Sequence, residues 1–167
     1  MRWYVIQVKS GTEMKVRDEL LLQRFPAKVP REVVPILKSG KWIEKEKTLL
    51  PGYVFVGTDE LDAALYYAAT GVKEVIRFLG TPPQPISHLE AEHLALLAPT
   101  NAPVGLSQLA FRDDGYQVVS GPLLALSSQI TKVERRQRKV QVRIPVLGED
   151  KIITLGISAT EGGANDD

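Results

Sequence analysis

The rhythm of apolar and polar positions changes several times along the chain. Trp3-Tyr4-Val5-Ile6-Gln7-Val8 is rich in β-branched and aromatic residues and ends at Lys9-Ser10-Gly11. It predicts a strand covered on both faces near its middle. Ser10 and Glu13 stand at capping-box spacing, and Val16, Leu20 and Leu21 make a helical stripe. A helix is therefore expected from about Thr12 to Arg24, stopped by Phe25-Pro26. Two extended segments, Arg31–Leu37 and Trp42–Lys47, flank Lys38-Ser39-Gly40-Lys41, which has the composition of a hairpin turn. Pro51-Gly52 leads into a strong strand, Tyr53-Val54-Phe55-Val56-Gly57. Thr58 is placed to cap a second helix over Asp59–Ala69, with acids in its first turn. Val75–Leu79 reads as a strand, and Ser87 with Glu90 repeats the capping-box spacing before a third helix ending near Ala98.

Beyond Thr100 the texture differs. TNAPVGLSQ, residues 100–108, has neither a helical nor a strand period and reads as a linker. Tyr116–Ser120, Gln129–Arg135, Lys139–Val146 and Lys151–Leu155 are short alternating segments separated by turn residues. Their spacing predicts a small all-β barrel of about 50 residues, which closes its own edges. The expected fold class is α+β. An amino-terminal domain over residues 1–99 has the order β-α-β-β-β-α-β-α, and a barrel follows over residues 109–160. Residues 161–167 form a tail expected to be disordered.

Composition narrows the function. Of 167 residues, 44% are apolar and 25% charged, which is globular usage. No cysteine is present, which excludes disulfides, a thiolate zinc site and a cysteine nucleophile. The apolar runs are too short to span a bilayer, and the first residues read as a strand, not a signal peptide. A cytoplasmic, bacterial protein without membrane attachment is expected. The two histidines, His88 and His93, are five apart on the third helix and do not stack as a metal pair; they are expected on the surface. With no catalytic triad order, phosphate-cradling loop or ligand cluster, the chain is expected to be no enzyme and to need neither cofactor nor metal.

Net charge is only +1, so no global field draws the chain to a polyanion. The distribution is more informative. Lys132, Arg135, Arg136, Arg138, Lys139 and Arg143 lie within one twelve-residue stretch that contains a single acid, Glu134. Such clustering costs repulsion that a polyanion relieves, and arginine's planar fork suits phosphate and guanine. The set is a candidate RNA-binding hairpin; the plainer reading is an exposed basic turn. The first hairpin carries Lys38, Lys41, Lys45 and Lys47, with Glu44 and Glu46 between them. It reads first as a solubilising edge. Lys38 and Lys41 are candidates for contact with DNA or a protein partner.

Several stretches resemble one family. Trp3-Tyr4-Val5, Leu49 through Val56, Gly71-Val72, Phe78-Leu79-Gly80 and Pro85-Ile86-Ser87 are similar to the amino-terminal domain of NusG-type transcription factors. Asp114 through Ile130, centred on Val118 and Gly121-Pro122-Leu123, resembles the KOW motif of that family's carboxy-terminal barrel. Within the family, Val133 through Val140, with Gly148 and Leu155-Gly156-Ile157, is most similar to the specialised LoaP-type antiterminators.

The resemblance implies a NusG-like α/β sandwich domain that binds RNA polymerase beside upstream DNA, and a KOW barrel that recruits a further partner. That partner is nascent RNA, as a structured hairpin, in the LoaP type, and a ribosomal or termination protein in the general factor. A monomer is expected. A KOW-containing ribosomal RNA-binding protein is a third reading, which the separate amino-terminal sheet disfavours. The polymerase-docking patch would comprise Trp3, Tyr4, Leu50, Pro51, Tyr53 and Phe55, since a partner helix needs an apolar groove with aromatic anchors. Alternation sets Tyr53 and Phe55 on one face of their strand and Val54 and Val56 on the other, so one face is core. Two departures from the family pattern stand out. Ala68 and Ala69 replace an Asn-Thr pair that reads non-template DNA in some members. Ser128 replaces a glycine of the KOW pattern, which would be strained if its φ were positive.

Overall fold

The computed structural model describes residues 1–161, with side chains to residue 159. Contacts divide the chain into two units that interleave along the sequence. The first comprises Met1–Val29, Leu50–Glu92 and Val146–Glu149; the second comprises Pro30–Leu49, His93–Pro145 and the described residues from Asp150. The early segment Pro30–Leu49 thus groups with the carboxy-terminal strands in the second unit.

The first unit is built on a four-stranded sheet of order β2-β5-β1-β6, formed by β1 (Arg2–Val8), β2 (Ala27–Lys28), β5 (Tyr53–Thr58) and β6 (Val75–Phe78). β1 is central and pairs antiparallel with β5 and β6. Helices α1 (Glu13–Leu22) and α2 (Ala63–Thr70) bury Val16, Leu20, Leu65 and Ala69 in one cluster with Tyr4, Ile6, Val54, Val56 and Phe78. Leu20 is fully buried, and truncating such a leucine typically costs about 2–5 kcal/mol.

The caps differ from expectation in instructive ways. The Ser10–Glu13 box does not form. Thr12 occupies the cap position of α1 without a side-chain bond, and Glu13 turns inward, 4% exposed. Its two oxygens accept from the backbone N–H groups of Gly11 (3.0 Å) and Gly52 (2.6 Å), so the carboxylate fastens the start of α1 to the Pro51-Gly52 turn. Asp62, not Thr58, caps α2 by accepting from Leu65 N–H at 2.9 Å. Thr58 is spent on a local turn with Glu60. At the third helix, α3 (His88–Leu97), the box is complete: Glu90 N–H donates to Ser87 Oγ (3.1 Å), and Ser87 N–H donates to Glu90 Oε1 (2.9 Å).

The second unit holds the hairpin β3 (Arg31–Lys38) and β4 (Lys41–Thr48). Its turn has Ser39 and Gly40 both at positive φ, 52° and 77°, the geometry a two-residue hairpin turn requires. A five-stranded sheet of order β8-β7-β11-β10-β9 follows, from β7 (Ser107–Arg112), β8 (Gly115–Ser120), β9 (Ile130–Glu134), β10 (Lys139–Val146) and β11 (Glu149–Glu161). β8 and β9 stand at the ends of that order. The arrangement is a half-barrel sheet, where the spacing had suggested a closed barrel.

β7 was missed in the sequence because Ser107 and Gln108 look like linker and Leu109-Ala110-Phe111 lacks alternation. Its pairing with β11 is parallel, Ile157 opposite Ser107. The preceding residues are also structured: Val33 N–H donates to Val104 O and Val104 N–H to Arg31 O, each at 2.9 Å. Of the expected tail, Glu161 lies opposite Phe111 in β11, and residues 162–167 lie outside the described residues.

After β8 the chain turns at Gly121 (φ 96°) into a short helix, α4 (Leu123–Leu126), that buries Leu123 and Leu126. A Cβ on Gly121 would stand 2.5 Å from the Ser107 Cα, so only glycine fits. Buried Ser107 Oγ accepts from Leu123 N–H at 2.9 Å. Ser128 lies in a 3-10 turn over Ser127–Gln129 and is not among the residues of positive φ, so the anticipated strain does not arise.

Candidate nucleic-acid interface

Within the second unit, β9 and β10 pair in register Glu134 opposite Lys139, with Arg135 to Arg138 forming the turn. Arg138 takes a left-handed conformation (φ 55°). Its N–H donates to Arg135 O (3.1 Å), and its carbonyl accepts from Ile157 N–H of β11 (3.0 Å), so the turn is fastened to the sheet. The six basic candidates separate by environment. Lys132 and Lys139 both approach Glu134, at 3.3 and 3.7 Å. Arg143 approaches Asp150 at 3.9 Å from the side of β10. The Arg135 guanidinium lies 4.5 Å from the Phe111 ring centroid, a cation–π contact. Arg136 and Arg138 are exposed and have no ion-pair partner among the described residues. They are the pair best placed to take an anion.

The hairpin β3–β4 borders the same turn. Val34, Ile36, Leu37, Trp42 and Lys47 line a groove of about 800 Å3 together with Leu106, Arg136, Arg138, Lys139 and Ile157. Trp42 is 70% exposed. Its one sequence signal is an aromatic beside Ile43 in a strand whose other residues from Lys41 to Lys47 are all charged. Lys38 and Lys41 face each other across the hairpin turn, both exposed.

Within β3, Glu32 is 1% exposed and accepts from Gly156 N–H with both oxygens, at 2.8 and 3.0 Å. Burial pushes its carboxyl up to about 7, against the pull of the Gly156 N–H and of Lys47. Burial likewise lowers Lys47, which Glu32 partly offsets. Arg31, also buried, donates to Glu46 and to the carbonyl of Asn101. The hairpin is thus held within the second unit by buried charged groups; of the side-chain polar atoms of Arg31 and Glu32, Arg31 Nε alone lacks a partner.

The six residues expected to dock a polymerase helix lie in the first unit, and the structure does not bring them onto one face. Tyr4 is opposite Val56 and belongs to the core under α1, 5% exposed. Trp3, Tyr53 and Phe55 lie on the other face of the sheet, with Val5 opposite Phe55. Phe55 and Leu50 are themselves buried, at 2% and 5%. Trp3 and Tyr53 are half-buried and Pro51 is exposed. Trp3 lies over Gly57, where a Cβ would meet its ring at 2.9 Å, and the Lys28 ammonium sits 5.2 Å from its ring centroid. Accessible aromatic surface in this unit also comes from Tyr67 of α2, 70% exposed, edge-on to Tyr66.

A family model described as transcription termination factor nusG matches residues 1–95, more than half of the chain. The chain belongs to the NusG family. NusG relatives named transcription termination/antitermination proteins align along nearly its whole length. That of Helicobacter pylori is 28% identical over 173 residues, covering 96% of this chain and 98% of the relative. That of Thermus thermophilus is 28% identical over 179 residues, covering 95% and 96%. A solved NusG structure from Thermotoga maritima shares the fold with a TM-score of 0.54 at 19% identity, covering 93% of each chain.

Against the NusG pattern, the Ala68-Ala69 departure falls at the end of α2. Ala69 is fully buried in the core and Ala68 is half-buried, so neither presents a polar side chain. Thr70 directs its hydroxyl to Tyr66 O at 2.8 Å. His88 Nε2 lies 3.3 Å from a Glu92 carboxylate oxygen, and no cluster of potential metal ligands occurs among the described residues. His93 is not on the surface as expected; it is 7% exposed, because α3 turns that side inward with Leu94 and Leu97. No helix among the described residues is long and apolar enough to cross a membrane.

Proposed function

We propose that this chain is a NusG-type regulator of transcription elongation, of the specialised LoaP-like antiterminator kind. Its amino-terminal sheet binds RNA polymerase, and the β9–β10 turn contacts nascent RNA. One observation carries the reading: Arg136 and Arg138 stand exposed, with no ion-pair partner among the described residues, on a turn whose backbone is fastened to β11. Two exposed guanidinium groups on one turn, with no counter-charge bound to them among the described residues, favour a phosphate-bearing partner. Double-stranded RNA is met through phosphates and shape, and loops supply sequence. A stem-loop suits such a turn. Lys38 and Lys41 at the tip of β3–β4 offer a further phosphate contact, to upstream DNA.

For the polymerase, Trp3 and Tyr53 supply partly exposed aromatics on one sheet face, and Pro51, two residues before Tyr53, lies on the turn that Glu13 anchors. Tyr4, Phe55 and Leu50 support that surface from the interior and do not present it.

The test titrates the full chain with a structured leader transcript and an unrelated RNA, and measures polymerase binding in parallel. The Arg136→Ala/Arg138→Ala double variant is expected to lose RNA binding and keep polymerase binding. Tyr53→Ala is expected to do the reverse. Equal affinity for leader and unrelated RNA would count against the antiterminator reading.

A second reading is a general NusG factor whose carboxy-terminal sheet recruits a ribosomal or termination protein. The near-full-length match to relatives named transcription termination/antitermination protein favours it. In that case the double arginine variant loses a protein partner and not RNA.

A further inference from the structure

The groove beside the basic turn has a composition that a duplex cannot exploit. Its lining includes the apolar side chains of Val34, Ile36, Leu106 and Ile157, together with Trp42. Its charged lining residues are all cationic: Lys47, Arg136, Arg138 and Lys139. The nearby carboxylates already have partners, Gly156 and Lys139 of the lining among them. Glu32 is bound to Gly156 N–H, Glu46 to Arg31, and Glu134 to Lys132 and Lys139. At about 800 Å3 the groove lies within the range of about 300–1,000 Å3 of small-ligand sites, room for a few nucleotides but not for a helix of paired strands.

An exposed tryptophan among cations is the arrangement by which unpaired nucleic acid is held: bases stack on the ring and phosphates meet the charges. A paired base hides its faces within the stack, so a duplex would leave Trp42 and the apolar lining unused. We infer that this groove seats a short unpaired RNA segment, with a base stacked on Trp42 and flanking phosphates on Arg136 and Arg138. This rests on the reading that the β9–β10 turn contacts RNA, and it adds the class of RNA: a loop, bulge or single-stranded flank. Hairpin β3–β4 thereby becomes part of the RNA site and not merely a solubilising edge.

The test uses the full chain with four probes: a short oligouridylate, a blunt RNA duplex, an oligothymidylate and an oligoglutamate peptide. Tryptophan emission is followed for the wild type and for Trp42→Phe, and affinity by anisotropy for Trp42→Ala and for Arg136→Ala/Arg138→Ala. Since Trp42 is 70% exposed, its replacement leaves the core intact, and circular dichroism checks this. Oligouridylate is expected to quench wild-type emission more than that of Trp42→Phe. Trp42→Ala is expected to weaken oligouridylate binding roughly ten-fold or more, the loss of about one stacked base.

If the arginine variant loses RNA while Trp42→Ala binds normally and emission does not change, the groove assignment falls and the RNA-contact reading stands. If no RNA binds the wild type, both fall. Equal binding of the duplex, the oligothymidylate or the peptide would also overturn the assignment to unpaired RNA.

Discussion

Replacing Glu32 by glutamine is expected to remove most of a pH dependence that the buried carboxylate imposes on stability. Glu32 is 1% exposed and holds Gly156 N–H with both oxygens. Burial raises its carboxyl from 4.5 to about 7. Between those values the folded chain keeps a proton that the unfolded chain releases. Stability contributed by Glu32 is therefore fully present below about pH 4.5 and is lost as pH rises through about 7. A difference of roughly 2.5 on the pH scale, at about 1.36 kcal/mol each, amounts to about 3 kcal/mol. Glutamine retains an acceptor for Gly156 N–H and carries no charge to desolvate. It forfeits the attraction of the ionised form to Lys47, so the gain at high pH is at most that amount. Urea unfolding of the wild type and Glu32→Gln near pH 5 and near pH 8 measures the effect. The wild type should lose stability between the two, and the variant should lose less by about 2–3 kcal/mol, a midpoint difference of about 1–2 M in urea. Identical pH dependence in the two proteins would refute the assignment of a proton to Glu32.

Three further outcomes follow from single features. Ser87→Ala removes the hydroxyl that accepts from Glu90 N–H, and is expected to cost about 1 kcal/mol, read as a fall of about 2–4 °C in the thermal midpoint. Gly121→Ala places a methyl 2.5 Å from the Ser107 Cα at positive φ, whereas Gly148→Ala meets no atom within 4 Å. The first is expected to destabilise by more than about 3 kcal/mol and the second by only about 1, compared by chemical denaturation. Arg136→Ala/Arg138→Ala should reduce the slope of log affinity against log salt for RNA by about 1.4 to 1.8, the share of two phosphate contacts.

Local signals in the sequence carried much of the fold. Runs of β-branched and aromatic residues such as Tyr53–Thr58 and the Ser39-Gly40 turn read correctly because their causes lie within a few residues. So did the Ser87–Glu90 box, where both partners of each bond are neighbours. The identical spacing at Ser10–Glu13 failed for a reason outside its own segment: Glu13 finds Gly52, thirty-nine residues away, and is drawn inward. β7 escaped notice because its partner in the parallel pairing is β11, at the other end of the chain.

The candidate site divides in the same way. The clustering of Lys132, Arg135, Arg136, Arg138, Lys139 and Arg143 is a property of sequence, and so was the expectation of a basic turn. Which of them are available is not. Glu134, Asp150 and Phe111 engage four of the six and leave Arg136 and Arg138, an outcome set by cross-strand register and packing. Composition alone could not join Trp42 to that turn, because nearly a hundred residues separate them. The sequence by itself determined the family, the strand and helix periods and the location of positive charge, all of which arise from residue types and short spacings. Only the tertiary structure decided that Tyr4 is core, that hairpin β3–β4 belongs with the carboxy-terminal strands, and that Trp42 lines a groove with Arg136 and Arg138. Those depend on contacts between distant segments, which no local pattern encodes.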